Sequence, residues 1–404
     1  MKTIFSKLIL MAAIAAAPVS AETPHDRFTL GDSFLSDFYV TDSELQSAPG
    51  LLVRTEALDE RQRLEYGGIQ VRLLYTATDG LEEGGITTVS GALFLPKGNP
   101  PDGGWPLMAW THGTVGIADR CAPSWNGRQS QDEDYLNRYL ARGYAVVASD
   151  YQGLGTKGTH PYLHTRAAAY SNLDIIKAVQ GADFPLSKKV VLFGQSQGAA
   201  AAIATGGYAP YYAPEIQLVG VVATGAPYFT PAALNALDRL NVVDRPDPLL
   251  GYTFLVMTLA EQVDPSFNMF DYLTDYARPI AQRADDLCYA SLKKEVINSA
   301  LSRRNSFKKN PRVGLKKAFN AMGYPHLNLP VPLFFGTGGK DNDTPPRMQK
   351  ALKIALCKAG TTVQSQFYPD LDHRGVVLPS TSDSLPFVGA LFAGQGVAGN
   401  CEQI

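Results

Sequence analysis

An α/β fold in which a mostly parallel sheet is flanked by helices and carries an inserted helical cap is what this sequence predicts, on three observations. Short apolar runs bounded by turn residues alternate with stretches of helical periodicity. Late in the chain the alternation gives way to a long helical interlude, and then it resumes. The residues able to do chemistry fall at the carboxyl ends of strands, which is where open α/β sheets bind ligands.

Met1 to Ala21 reads as a signal peptide: Lys2 and Lys7 give the positive start, Leu8 to Ala17 the apolar centre and Val19-Ser-Ala the cleavage site. The mature chain is expected to begin near Glu22, with no cysteine there to carry a lipid. The apolar centre is about ten residues, short of the eighteen or so that span a bilayer, so no transmembrane segment is expected. The reading is a secreted or periplasmic protein. About 380 residues then remain, enough for one large core with an inserted subdomain.

Two alternating segments, Ile69 to Ala77 and Thr87 to Leu95, flank the Asp-Gly and Gly-Gly stretch 79–85 and predict an antiparallel pair. Trp105 to Trp110 and Tyr144 to Ser149 are short apolar runs, read as buried parallel strands on either side of a helix over Gln129 to Arg142. A helix over Arg166 to Gly181, a strand over Lys189 to Phe193, a helix over Gln197 to Thr205 and a strand over Leu218 to Ala223 follow. From Thr230 to Leu329 the chain reads as several helices broken by Pro246-Asp-Pro, Pro265 and Pro279. Strands return at Val331 to Phe335 and Thr362 to Tyr368, with a helix over Met348 to Lys358 between them. The predicted division is a signal peptide (1–21), a core (22–229 and 330–404) and a cap (230–329).

With 36 basic and 38 acidic residues the chain has no global field to gather nucleic acid, so that class of partner is excluded. Its four cysteines, Cys121, Cys288, Cys357 and Cys401, lie far apart, which favours two disulfides over a metal site. Three pairings are open. Cys357 with Cys401 is favoured because it fastens the C-terminus, which leaves Cys121 with Cys288. No metal and no cofactor is expected.

Gly194-Gln-Ser-Gln-Gly198 fits G-x-S-x-G with a predicted strand before and a predicted helix after, the context of a nucleophile elbow. Ser196 is the candidate nucleophile. A serine hydroxyl needs a base within hydrogen-bond reach, and of six histidines His373 lies after the last strand, as the order Ser, acid, His demands. His25, His112, His160, His164 and His326 are read as solvated or core-satisfied rings. The acid must lie between Ser196 and His373 at a strand's end. Asp341 is chosen, with Asp343 as the alternative pointing to the other side of the loop and expected to be a solvated turn residue. Asp370 and Asp372 are too near His373 in sequence. An oxyanion hole needs two backbone N–H donors, for which Gln197 and Thr114, in the loop Trp110-Thr-His-Gly-Thr-Val-Gly, are the candidates.

Gly153-Leu-Gly-Thr-Lys-Gly158 matches G-x-G-x-x-G, but the helix that a dinucleotide site requires does not start there, since Thr159-His-Pro follows. The stretch is read as a glycine-rich loop beside the site.

Arg54-Thr-Glu, Ala109-Trp-Thr-His-Gly-Thr-Val-Gly-Ile-Ala-Asp-Arg-Cys-Ala-Pro-Ser, Asp150-Tyr-Gln-Gly-Leu-Gly-Thr with His160-Pro-Tyr-Leu, Gly194-Gln-Ser-Gln-Gly and Asp372-His together resemble the secretory lipase family of α/β hydrolases. The resemblance implies an α/β-hydrolase fold, a helical cap between strands six and seven, a Ser196, Asp341, His373 triad, and the disulfides Cys121–Cys288 and Cys357–Cys401. The chain departs from the family's pattern at Gln195, where histidine is frequent, and in the acid loop, where Asp341-Asn-Asp-Thr replaces Asp-x-x-Val before the prolines.

The expected function is a serine carboxylic ester hydrolase, lipase or esterase, acting through an acyl-enzyme on hydrophobic small-molecule or lipid esters. The alternatives are a transacylase or exopeptidase using the same triad, or a silent hydrolase-like binding protein. The apolar run Leu249 to Leu259 suits either an acyl pocket or cap packing. Nine Lys or Arg against Glu295 alone between Lys293 and Lys317 suit a solvated helix face first, and transient contact with an anionic lipid interface second.

Overall fold

The computed structural model describes residues 35–41, 48–82, 84–236 and 244–402. The signal-peptide segment Met1–Ala21 and His25 lie outside the described residues.

The core is one nine-stranded sheet in the order β1-β2-β3-β5-β4-β6-β7-β8-β9. Its strands are β1 (Leu52–Ala57), β2 (Gly67–Thr78), β3 (Ile86–Pro96), β4 (Trp105–Thr111), β5 (Ala145–Ser149), β6 (Leu186–Gln195), β7 (Gln217–Thr224), β8 (Leu333–Gly338) and β9 (Val363–Tyr368). β1, β2, β3 and β5 pair antiparallel in succession, and every pair from β5 to β9 is parallel. From β4 the chain runs first to β5 on one side and then to β6 on the other, so the strand order reverses at β4. A crevice opens beyond the carboxyl ends at such a switch point.

The period of two along each strand sends alternate residues to opposite layers. Leu107, Ala109, Val190, Leu192, Val221 and Phe335 join the layer built with the helices Thr165–Gly181, Gln197–Tyr212 and Pro346–Lys358. Met108, Trp110, Val191, Phe193, Val222 and Phe334 join the other layer, against the helices Ser130–Leu140 and Thr381–Phe392. These strands are apolar on both faces because both faces are covered.

The structure adds two elements to the expected set and extends a third. β1 is an edge strand, Leu-Val-Arg-Thr-Glu-Ala, with its last three residues exposed, so it lacks the apolar alternation that marks its neighbours. It also moves the helical interlude to between the seventh and eighth strands, one later than the resemblance implies. The helix Thr381–Phe392 contains Pro386 within a run of Ser and Thr that reads as a turn, and it forms because Phe387, Val388 and Leu391 are buried on the sheet. The helix after Ser196 continues past Thr205 through Gly206-Gly and Pro210 to Tyr212. Tertiary anchors override those breakers: Tyr212 stacks on Tyr170 at 4.0 Å and its hydroxyl donates to Asp174 Oδ2 at 2.6 Å.

Between β7 and β8 the chain makes a helical excursion whose longest helices are Leu250–Val263 and Tyr289–Asn298. Leu250–Val263 is buried along most of its length, and its cluster takes in Ile117, Leu163 and Ala200 from the core. Pro279 sits in the first turn of the helix Arg278–Gln282, where its missing N–H costs nothing, so it opens a helix rather than breaking one. Of the basic stretch, Arg303 pairs with Asp247 at 2.6 Å, Arg304 with Asp244 at 3.5 Å and Lys317 with Asp264 at 2.9 Å.

Two disulfides are present, Cys121–Cys288 and Cys357–Cys401. The first joins the loop after β4 to the start of the helix Tyr289–Asn298, and so fastens the excursion to the core. The second closes a loop with a sequence separation of 44 and holds the C-terminal segment beside β9. Closing a loop of that length removes chain entropy worth about 4 kcal/mol from the unfolded state. The double replacement Cys357→Ser with Cys401→Ser is therefore expected to lower thermal stability by up to about 4 kcal/mol while sparing activity at low temperature, checked by thermal denaturation and residual-activity assay.

Candidate active site

Register places the ends of β4, β6 and β7 level. Thr111 pairs with Gly194, and Gln195 pairs with Thr224. Ser196, the next residue, turns at φ 59°, ψ −122° straight into the helix Gln197–Tyr212, and its N–H donates to Thr224 O at 3.0 Å. A positive φ at a non-glycine residue is a strained conformation held by its surroundings. The flanking glycines make the turn possible: a Cβ on Gly198 would overlap the carbonyl oxygen of Thr111, and one on Gly194 would lie 2.5 Å from that oxygen. Helix and strand approach so closely because β4 lies directly beneath the turn.

The turn after β9 carries His373, whose Nε2 lies 2.9 Å from Ser196 Oγ. Its Nδ1 lies 2.7 Å from Oδ2 of Asp341, in the turn after β8. The carboxylate accepts, so Nδ1 carries the proton and Nε2 is the acceptor that faces the serine hydroxyl. Asp341 is held on every side. Its Oδ1 accepts from the N–H of Asp343 at 2.9 Å and of Thr344 at 2.8 Å, and its Oδ2 accepts from Gln349 Nε2 at 2.9 Å. Gln195 Nε2 donates to the backbone oxygen of His373 at 2.9 Å, which ties the residue before the serine to the histidine loop. Thr344, Gln349 and Gln195 brace this arrangement; no motif marks Thr344 or Gln349, and Gln195 fills a variable position of G-x-S-x-G.

Asp343 faces the other way. It is half-buried rather than a solvated turn residue, because Tyr252, on the excursion's helix Leu250–Val263, brings its hydroxyl to within 3.3 Å of Asp343 Oδ2. Tyr252 stacks on Tyr289 at 4.2 Å, and Tyr289 N donates to Val115 O at 2.7 Å. Thr114 sits half-buried in the same loop with its hydroxyl 2.8 Å from the Tyr162 hydroxyl. Burial pushes the phenols of Tyr162, Tyr252 and Tyr289 well above their ordinary range, with Asp343 adding to the effect on each. The Tyr252 hydroxyl beside Asp343 and the Tyr162 hydroxyl beside Thr114 are therefore neutral.

Gln197 opens its helix, so its N–H belongs to the first turn, which has no acceptor within the helix. The other described histidines stand apart from Ser196 Oγ. His112 and His160 are buried, His164 caps the helix Thr165–Gly181 by accepting from Ala167 N at 3.2 Å, and His326 stacks on Tyr211. The glycine-rich loop ends without opening a helix, which begins only at Thr165. Among the described residues no cluster of His, Cys, Asp and Glu is gathered to hold a metal ion, and no helix is long and apolar enough to cross a membrane. A surface cavity of about 510 Å³ lined by Arg138, Arg142, Thr381, Ser382, Leu385 and Pro386 includes none of the residues above.

Residues 124–241 match the family model described as secretory lipase, the resemblance that the motifs carry. The chain is 27% identical over 272 residues to Lipase A of Moesziomyces aphidis, across 64% of this chain and 55% of that protein, so it spans about half the length of the curated relative it matches. Among solved structures it is similar to Candida antarctica lipase A in its closed state (TM-score 0.73, 18% identity, 95% of this chain and 90% of that one). It is also similar to the rice cell wall degrading esterase LipA from Xanthomonas oryzae in a ligand-bound form (TM-score 0.68, 22% identity, 87% of this chain and all of that one). At these identities the likeness is one of fold, and the fold is that of the α/β hydrolases.

Proposed function

We propose that this chain, a relative of the secretory lipases over residues 124–241, is an exported serine hydrolase of carboxylic esters. The observation that carries the reading is the unbroken relay Ser196 Oγ to His373 Nε2 at 2.9 Å and His373 Nδ1 to Asp341 at 2.7 Å. In the reaction Ser196 Oγ attacks the ester carbonyl while His373 Nε2 takes its proton. The tetrahedral oxyanion is met by the N–H groups of Gln197 and Thr114. Collapse expels the alcohol, which receives the proton from His373 and leaves an acyl group on Ser196. Water, activated by the same imidazole, then releases the acid. Asp341 keeps its proton count throughout: it fixes the tautomer and stabilises the imidazolium.

The helical excursion acts as the cap of this site. Tyr252 joins it to the turn of Asp343 and Tyr289 to the loop after β4, the Cys121–Cys288 bridge fastens it to that same loop, and the apolar cluster of Ile117, Leu163, Ala200 and the helix Leu250–Val263 suits the acyl or alcohol portion of a hydrophobic ester. Ala200 lies one helical turn beyond Ser196, so that cluster begins where the reacting carbonyl would end. Arg303, Arg304 and Lys317 are spent on ion pairs within the cap, which leaves exposed Lys294, Lys308, Lys309 and Lys316 for transient contact with an anionic interface. Two disulfides and the N-terminal signature favour export.

The test is a series of p-nitrophenyl esters from acetate to palmitate, with a matched anilide and an added alcohol acceptor. Chromophore release from the esters with water as acceptor is expected, and the profile along the series separates esterase from lipase. No release from any ester overturns the reading. Preference for the anilide would mark a peptidase, and preference for the alcohol a transacylase.

A further inference from the structure

The stretch from Asp150 to His164, with its glycine fingerprint, has no part in the chemistry above. We propose that it is the scaffold of the oxyanion hole. Tyr151 and His160 are positioning residues that fix the two backbone segments supplying the N–H donors, and their loss costs transition-state stabilisation rather than substrate binding. The inference rests on the hydrolase reading and deepens it.

Three rings form one buried stack. His112 lies against Tyr151 with ring centroids 4.2 Å apart, and Tyr151 against His160 at 5.7 Å. One end of the stack belongs to the loop after β4. The Tyr151 hydroxyl donates to the carbonyl oxygen of His112 at 3.0 Å, and His112 Nδ1 lies 2.7 Å from the carbonyl oxygen of Gly113. In a trans peptide the C=O and N–H point in opposite directions. Anchoring the oxygen of Gly113 therefore turns the N–H of Thr114 the other way, and anchoring the oxygen of His112 does the same for Gly113.

The other end of the stack belongs to the elbow. Gln197 Nε2 lies 3.0 Å from His160 Nε2, and His160 Nδ1 lies 2.9 Å from the backbone oxygen of Gln152. A carbonyl only accepts, so Nδ1 carries the proton and Nε2 accepts from the Gln197 amide. Burial drives the His160 pKa down to about 3, which keeps the ring neutral and this tautomer in place at working pH. Burial likewise holds the Tyr151 phenol protonated, and so a donor.

The cost of the arrangement is visible in the backbone. Tyr151 is fully buried at φ 71°, a conformation that a bulky residue adopts only when its surroundings over-determine it. Gly153, also at positive φ, admits the return of the chain: a Cβ there would sit 2.6 Å from His160 N. Of the glycines that imitate a phosphate-binding loop, Gly153 instead lets the segment fold back so that His160 reaches Gln197. Strain of this kind is stored where geometry serves function.

The experiment compares Tyr151→Phe and His160→Phe with the wild type, and uses Tyr212→Phe as a control. Tyr212 also loses a phenol hydrogen bond in that change, a half-buried one at the far end of the elbow helix. The readouts are kcat and KM on a p-nitrophenyl ester, thermal stability, and affinity for an alkyl trifluoromethyl ketone. Ser196 adds to the carbon of that ketone, its proton passes to His373, and the ketone oxygen becomes an oxyanion. Each test variant is expected to lower kcat by about tenfold or more with KM within about twofold, and to weaken the ketone by a similar factor. The Tyr212→Phe control is expected to change stability alone.

An unchanged kcat in both test variants, whatever happens to stability, overturns the proposal and leaves the stack as core packing. A lower kcat with unaltered ketone affinity overturns it too. A wild type that turns over no ester fails the hydrolase reading instead, and ketone affinity still ranks the variants.

Discussion

Ser196→Ala is expected to lower ester turnover by about four to six orders of magnitude while leaving the fold and substrate binding in place. The size follows from the relay's geometry. Among the described residues only this hydroxyl has a histidine nitrogen at 2.9 Å with an oriented carboxylate behind it, and His112, His160 and His164 are each bonded into the core or a helix cap. Alanine at this position still has to adopt φ 59°, as serine does, so the turn is no worse accommodated. Equal kcat and KM in the variant would place the nucleophile elsewhere, and a stopped-rate assay with purified protein reads the difference.

The second large effect separates the two aspartates. Asp341→Asn is expected to cost about four orders of magnitude in kcat, and Asp343→Asn less than about tenfold. At position 341 the N–H groups of residues 343 and 344 both aim at Oδ1, which obliges an asparagine to place its oxygen there. Its NH₂ then faces His373 Nδ1 and drives the imidazole proton to Nε2. A protonated Nε2 cannot accept from Ser196. At position 343 the side chain's hydrogen bond among the described residues is the one from the Tyr252 hydroxyl, so the loss is about one hydrogen bond between this turn and the helix Leu250–Val263, on the order of 1 kcal/mol. Parallel kinetics and melting curves on the two variants check both halves. An inactive Asp343→Asn beside an active Asp341→Asn would exchange their roles.

What was legible in the sequence was what short spacing encodes. Apolar runs between turn residues gave β4 to β9, and G-x-S-x-G in its strand-to-helix context gave Ser196 its place at a strand's end. Chain order then singled out His373 and Asp341 for the neighbouring turns. The motifs of the secretory lipases pointed to the same fold, and the pairing of the cysteines agreed with it. Less legible was anything decided by tertiary contact. β1 is polar because it is an edge, and the helix Thr381–Phe392 forms through burial despite Pro386 and its serines. Thr344 and Gln349 brace Asp341 from positions with no motif value, and Asp343 is half-buried only because Tyr252 comes down from a segment some ninety residues away. The G-x-G-x-x-G match shows the same limit from the other side. Its first glycine, Gly153, is required by the close passage of His160, a contact that no local pattern announces.

Ser196 as a nucleophile activated by His373 is what the proposed chemistry depends on. The most direct measurement is covalent: treat the folded protein with an alkyl fluorophosphonate, then map the adduct by peptide mass spectrometry in the wild type and in His373→Ala. The predicted result is a single phosphonyl adduct on Ser196, formed rapidly in the wild type and at least about a thousandfold more slowly without the imidazole. An unlabelled Ser196 in protein that hydrolyses esters, or labelling at the same rate without His373, would show that Ser196 is not the nucleophile or that His373 does not activate it.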